Sequence, residues 1–255
     1  MKIVAIIPAH MASVRFPGKI LFDFHGLPMI EHVRRRALLS DSISEVYVAT
    51  CDDQIASVIE SYGGKVIKTS NTHTNGTSRI AEAVISIDCT HVILLQGDEP
   101  LLLPRHIDSM SDAIGLNPEV CVWNATGPIE NEEELDRHSF VKCAVAINNR
   151  ILYCFRRSPS FSAFKNQQQF IRKILGLIAF EKSFLLKIAS FSSTRIEDFE
   201  FIEQMRIIEN GYPMESVPVF PSLPSVNEPE EADIILEYIA SLPEQAMLLN
   251  NILTK

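Results

Sequence analysis

Short runs that are apolar at every position alternate along the first hundred residues with stretches whose apolar positions recur every three or four residues. Ile3–Pro8 is apolar throughout and closes on proline, which predicts a strand buried on both faces. Pro28–Leu39 predicts a helix with Ile30, Val33 and Ala37 turned inward and Arg34–Arg36 largely outside. Glu45–Thr50 predicts a second strand, and Asp53–Tyr62 a helix stopped by Gly63-Gly64. Lys65–Lys68 predicts a short third strand, Thr77–Ile87 a helix, and His91–Leu95 a further apolar strand.

Strands separated by helices at this rhythm predict βαβ units. The expected fold class is α/β, with a mostly parallel, Rossmann-like central sheet flanked by helices. The middle of the chain differs. Val120–Thr126, Lys142–Ile147, Ile151–Phe155 and Lys173–Phe180 predict strands, the first three with short connections, hence a smaller mixed-sheet subdomain or arm. The polar, aromatic stretch between Arg156 and Ile171 predicts a loop or arm that covers a site or reaches a partner subunit. Phe199–Asn210 predicts an amphipathic helix ended by Gly211, and Pro229–Ala240 another with proline in its first turn. With no internal repeat or linker in view, the expectation is a single domain over residues 1–255 with an insertion at about 120–180.

Composition narrows the class. A formal charge of −9 from 23 Lys+Arg and 32 Asp+Glu argues against broad, charge-driven nucleic-acid binding. It leaves room for a small anionic substrate, because a few basic residues suffice for one pocket. Five widely spaced cysteines without a CxxC pair suggest neither zinc nor a disulfide framework, and predict reduced, mostly buried thiols. The N-terminal apolar run is too short for a secretory segment, and no stretch approaches the ~18 apolar residues of a membrane span. A soluble, cytoplasmic protein is expected.

Three segments carry candidate chemistry. The first strand runs directly into a loop bearing Ser13, Arg15, Gly18 and Lys19, where ligands bind in parallel α/β sheets. Gly18 permits close backbone approach, and the two cations suit a polyphosphate. Walker A and GxGxxG patterns are absent, so the loop read alone is equally a solvated turn. The strand ending in Leu94-Leu95 stops at Gln96-Gly97-Asp98-Glu99-Pro100, where a carboxylate is placed for a divalent cation shared with phosphates. Such a turn also serves as a simple cap, and Gln96 could read a base edge or satisfy backbone groups. In HTNGTSR, His73–Arg79, residues Asn75, Gly76 and Thr77 offer donors at a helix start with Arg79 one turn in, while His73 reads as structural.

Taken in order, IIPAHMASVRFPGKIL, GLPMIEHVRRRA, VYVATCDD, HTNGTSRIAE, LLQGDEPLL, ILYCFRRSP and FEFIEQMRIIENG resemble the 3-deoxy-manno-octulosonate cytidylyltransferases, or CMP-KDO synthetases, within the sugar nucleotidyltransferases. The resemblance spans almost the entire chain. It implies that CTP and Mg²⁺ bind at the end of the sheet and that a hydroxyl of an acidic sugar attacks the α-phosphorus, giving a CMP-sugar and pyrophosphate for lipopolysaccharide biosynthesis. By that match Arg15 and Lys19 would hold the triphosphate and, with Asp98, form the catalytic set. Ala9, Ser13, Asn75, Gly76, Arg79 and Gln96 would face the nucleotide, and Glu203 and Gln204 the acceptor. Asp98 and Asn227 occupy the metal-ligand positions. The family also implies a homodimer, with Ile151–Gln169 as interface, although Phe161, Phe164 and Phe170 could equally pack on their own domain.

Four segments depart from the family pattern. His10 stands where arginine is usual, removing a fixed charge near the phosphates. In Lys173–Glu181, Ile174 and Ile178 replace a histidine and a tyrosine, and Glu181 an arginine. Asn227 replaces an aspartate metal ligand, with Glu228 following it, and Cys51 replaces a common aspartate in a surface or packing change. The nucleotide half is thus retained and the acceptor half altered. That predicts either KDO or another acid, such as a modified keto-deoxy sugar acid or a phosphonate. The competing expectation is a catalytically impaired nucleotide-binding paralogue.

Overall fold

The first apolar run folds as strand β1 (Ile3–Ala9), buried except at Pro8. The computed structural model describes residues 1–13 and 15–254, so Val14 of the basic loop lies outside the described residues. The chain forms two units, Met1–Asp108 with Leu223–Lys255, and Ser109–Ser222.

In the first unit a small hairpin, β2 (Asp23–Phe24) and β3 (Leu27–Pro28), leads into α1 (Met29–Ala37). Then follow β4 (Glu45–Thr50), α2 (Asp53–Ser61), β5 (Lys65–Lys68), α3 (Gly76–Val84) and β6 (His91–Leu95). β1 lies between β4 and β6, and β4 carries β5, all parallel. Ile6 faces Tyr47 on one side and Leu94 on the other, so the most apolar strand is central. The predicted βαβ rhythm is observed. The unit boundary falls within α4 (Pro104–Leu116), a helix the sequence pattern did not predict.

One expectation for α1 fails. Ile30, Val33 and Ala37 are fully buried as predicted, but Arg34, Arg35 and Arg36 are buried too. Arg34 and Arg35 share the buried Glu31 carboxylate at 2.6–3.0 Å, and Arg35 stacks over the Tyr62 ring. Helical spacing sets which face a residue occupies, whereas a later segment decides whether that face is covered.

The second unit contains β7 (Val122–Pro128), β8 (Lys142–Val145), β9 (Ile151–Phe155), α5 (Phe164–Gln167) and β10 (Ile171–Glu181). It continues through α6 (Lys182–Ala189), α7 (Arg195–Glu200), α8 (Gln204–Glu209) and β11 (Glu215–Pro218). β10 runs antiparallel to β7 and β8, β8 antiparallel to β9, and β11 parallel to β7. This is the mixed sheet expected from the short connections. β10 is longer than predicted, and its register against β7 slips between Ile174 and Ile178. The Asn124 side chain donates to Leu175 O (3.0 Å) within that irregularity, supplying a donor where the ladder is interrupted.

The single helix predicted at Phe199–Asn210 is instead two. Thr194 N donates to Glu197 Oε2 (3.2 Å) where α7 starts early, and Phe201 at φ 54° turns the chain left-handed before α8. The chain then returns to the first unit as α9 (Glu231–Ser241) and α10 (Pro243–Leu253). α9 follows the predicted pattern, and α10 was not anticipated.

Candidate functional site

The site grows from the carboxyl ends of β1 and β6. Ala9 is the last, buried residue of β1, and the loop beyond is tied back where Met11 N donates to Asp52 Oδ2 (3.0 Å). Ser13 Oγ accepts from Phe16 N at 3.4 Å. Gly18 adopts φ 70° and starts a 3-10 turn at Lys19–Leu21. The conformation, rather than close approach, explains this glycine: a Cβ would meet only Met11 Cε at 3.6 Å, whereas a left-handed backbone disfavours other residues. The turn directs Lys19 back over the sheet.

Lys19 Nζ donates to Asp98 Oδ2 (2.6 Å) and to Val226 O (2.8 Å). Val226 N in turn donates to Asp98 O (2.9 Å), so residues far apart in sequence meet at one ammonium group. The Lys19 and Asp98 side chains are only 15% and 24% exposed, which strengthens their charge-assisted bond relative to a surface pair. Arg15 lies further out, donating from Nη2 to Asn227 Oδ1 (3.0 Å) with Nη1 3.6 Å from Glu228 Oε1. Glu231 Oε2 accepts from Asn227 N and Glu228 N, fixing the chain that presents both side chains. The structure thus brings together Arg15, Lys19, Asp98 and Asn227.

Gly97, which the motif reading passed over, is required by close packing. A Cβ would stand 2.6 Å from Ile20 Cδ1 and 3.4 Å from Ile7 Cγ2. The signal was its position directly between a buried strand and the acidic turn. Gln96 is half-buried at the same strand end. The third segment opens α3: Asn75 caps it, its Oδ1 accepting from Ser78 N (2.8 Å), and Gly76 is the first helical residue. Arg79 is 4% exposed and donates to Thr69 Oγ1 (2.8 Å) and Ser70 O (3.2 Å). His73 is structural as read, bridging Ser78 Oγ and the Glu82 carboxylate. That contact, foremost, holds Glu82 below the usual carboxylate range.

His10 is the exposed residue after β1. Partial desolvation, then the charges of Arg79 and Lys19, keep its pKa below 6.5, against the opposing pull of Asp52 and Asp98. It is therefore mostly neutral at pH 7, as its replacement of an arginine suggested.

Glu203 and Gln204 belong to the second unit, Glu203 capping α8 and Gln204 opening it. Gln204 Nε2 donates to Oδ1 of the fully buried Asn124 (3.0 Å), the same side chain that supports the β10 irregularity. Ile178 is 5% exposed, and Glu181 caps α6 and accepts from Ser183 Oγ (2.6 Å). In this unit Lys142 is fully buried, donates to Arg137 O (2.8 Å), and is pushed by desolvation to a pKa of about 8.

Among the described residues no group of three or more His, Cys, Asp or Glu side chains is placed to hold a metal. The donor set of Asp98 and Asn227 nonetheless fits a hard cation, because Mg²⁺ takes one or two protein oxygens and completes its shell with phosphate and water. No helix among the described residues is long and apolar enough to cross a membrane.

A sequence model of the cytidylyltransferase family matches residues 4–217. The 3-deoxy-manno-octulosonate cytidylyltransferase of Geotalea uraniireducens is 35% identical over 248 residues, covering 93% of this chain and 98% of that protein. The 8-amino-3,8-dideoxy-manno-octulosonate cytidylyltransferase of Shewanella baltica is 37% identical over 236 residues, covering 91% and 96%. A solved CMP:2-keto-3-deoxy-manno-octonic acid synthetase complexed with CTP superposes with a TM-score of 0.88 at 31% identity, covering 94% of this chain and 99% of that one. The fold and its relatives define a nucleotidyltransferase. Within that class, the chain belongs to the cytidylyltransferase family.

Proposed function

We propose that this protein transfers the cytidylyl group of CTP to an acidic keto-deoxy sugar of the 3-deoxy-manno-octulosonate type, releasing pyrophosphate. The observation that carries the reading is Lys19, whose ammonium joins Asp98 to the Val226 carbonyl at the sheet's carboxyl end, with Arg15 beside it on Asn227. Attack by the acceptor oxygen on the α-phosphorus breaks the bond to the β-phosphate bridging oxygen, and negative charge develops on pyrophosphate. Lys19 and Arg15 are placed to offset that charge. Ala9, Ser13, Asn75, Gly76, Arg79 and Gln96 orient the nucleotide, so that much of the barrier reduction comes from alignment. Asp98 and Asn227 would hold Mg²⁺, which supplies polarisation of the phosphoryl oxygens and charge neutralisation when bound.

Glu203 and Gln204 are read as acceptor contacts within the second unit, and the insertion at about 120–180 as the acceptor and dimerisation region of that unit. Its edge strand β9 exposes Leu152 and Tyr153, and Phe161 beyond it is fully exposed, which suits a homodimer. The supply of CTP suits the cytoplasm, and the product suits lipopolysaccharide assembly.

A modified acceptor is favoured by Ile174 and Ile178, which offer no hydrogen bonds to a polyhydroxylated acid. The relatives named above differ in their acceptor at carbon 8 while matching this chain about equally. Pyrophosphate release should be followed with CTP, Mg²⁺ and a panel comprising KDO, its 8-amino analogue and a phosphonate acid. Turnover with a modified acid is the expected result, and efficient turnover with KDO alone would refute the modified-acceptor reading. CTP binding without turnover under every acid would instead identify an impaired paralogue.

A further inference from the structure

The carboxylate turn at Asp98 is held from two sides by the returning C-terminal segment. On one side Val226 N donates to Asp98 O (2.9 Å). On the other stands Gln245, in the first turn of α10 and 1% exposed. Its Nε2 donates to Leu101 O (3.0 Å), and its Oε1 accepts from Arg36 Nη1 (2.7 Å). Arg36 Nη1 also reaches Leu102 O at 3.4 Å. The carbonyls just past the Asp98-Glu99-Pro100 turn are thereby joined to a helix lying outside the family match at residues 4–217.

This arrangement is costly, which makes it informative. Arg36 is fully buried, and its Nε and Nη2 have no hydrogen-bond partner among the described residues. Desolvation pushes its pKa down to about 10, with no carboxylate opposing the shift. The Gln245 carbonyl is one of two oxygens that receive this cation. Glutamine alone among similar side chains serves both neighbours: its oxygen takes the Arg36 proton donor, and its amide nitrogen reaches Leu101 O. Glutamate would serve Arg36 and lose Leu101, and leucine would serve neither.

We propose that Gln245 is a positioning residue for nucleotide binding, setting the 98–102 turn so that Asp98 faces Lys19 and the triphosphate. The proposal rests on the reading of Asp98 and Lys19 as the phosphate and metal groups given above. Moving one charge-assisted contact out of position weakens binding by about tenfold, so a defect of about tenfold in CTP affinity is expected when the tie to Leu101 is cut.

The test compares Q245E with the double variant Q245L/R36L, using CTP calorimetry with Mg²⁺ and with EDTA alongside thermal melting. Q245E keeps or raises Tm, because its carboxylate pairs with Arg36, yet binds CTP about tenfold more weakly. Q245L/R36L removes the buried polar pair altogether, regains packing, and shows the same CTP defect. Wild-type CTP affinity in either folded variant, or an affinity loss that tracks the change in Tm, overturns the proposal. Asp98→Ala separates the two layers. If it leaves CTP binding and turnover intact, the reading of the site fails; if it abolishes them while Q245E binds CTP normally, only the role of Gln245 fails.

Discussion

Lys19 and Arg15 carry the same charge but stand in different surroundings. Lys19 is 15% exposed and in contact with Asp98, whereas the Arg15 side chain is 53% exposed and screened. A charge in a drier site acts more strongly on developing negative charge. Lys19→Met is therefore expected to lower kcat by about 100-fold, corresponding to ~2.7 kcal/mol. Arg15→Met should mainly raise the KM for CTP, and steady-state kinetics with CTP varied separates the two outcomes. Asn227 offers a second contrast. Its uncharged amide oxygen accepts from Arg15, Glu228 beside it faces the same guanidinium, and in the proposed reading that oxygen would ligate Mg²⁺. Asn227→Asp should lower the Mg²⁺ concentration giving half-maximal activity several-fold, with tighter Mn²⁺ binding by electron paramagnetic resonance. An unchanged metal requirement would remove Asn227 from the coordination shell.

At the level of elements, the break between α7 and α8 is the clearest departure from simple periodicity. The apolar spacing continues through Phe199–Asn210, yet Phe201 occupies a left-handed conformation at φ 54° and is 81% exposed. Its carbonyl accepts from Arg156 Nη2 (3.0 Å), while Arg156 Nε and Nη1 donate to Glu200 O and His138 O. Three backbone carbonyls on one guanidinium hold a corner that local propensity opposes. Phe201→Gly should relieve roughly 1 kcal/mol of backbone strain while sacrificing little packing. The expected result is a denaturation midpoint equal to or above that of the parent. A marked loss of stability would show that the exposed ring has a packing role. The corner matters because it sets the start of α8, where Glu203 and Gln204 stand.

Across the molecule, acid stability has a definite source. His32 is fully buried, donates from Nε2 to Phe24 O (2.6 Å) in its neutral form, and has an Nδ1 without a partner among the described residues. Desolvation foremost, with Arg36 and His25 adding to it, lowers its pKa from 6.5 to about 4 against the pull of Phe24 O and Asp23. Between those values the unfolded chain binds a proton that the native protein excludes. Stability is therefore intact above pH 6.5 and declines as pH falls toward 4, by about 3 kcal/mol in full. His10 adds a smaller change of the same sign. Replacing His32 with Gln keeps a donor for Phe24 O and removes the titration. Urea denaturation between pH 7 and 4 should then show a flatter decline, and an unchanged slope would place the acid sensitivity elsewhere.

The alternation of strands and amphipathic helices was sufficient to place β1, β4, β5 and β6 in a parallel sheet; β1 and β6 carry the near-continuous apolar run of strands buried on both faces, whereas β5, with no buried residue, was placed by its position after α2. The basic loop, the acidic turn and the HTNGTSR segment could be placed on strand and helix ends for the same reason. The tertiary structure alone decided which of their groups meet. The Val226 carbonyl beneath Lys19 is a backbone atom with no side-chain signature, and Gln245 is an ordinary polar residue in a segment to which the sequence pattern assigned no element. The three arginines of α1 look solvent-facing until later segments cover them. The net charge of −9 likewise says nothing of where Arg15 and Lys19 gather. Local patterns encode which face of an element is apolar; partners such as Val226 for Lys19 and Gln245 for Arg36 lie about two hundred residues away, and only the packed fold brings them within hydrogen-bond distance.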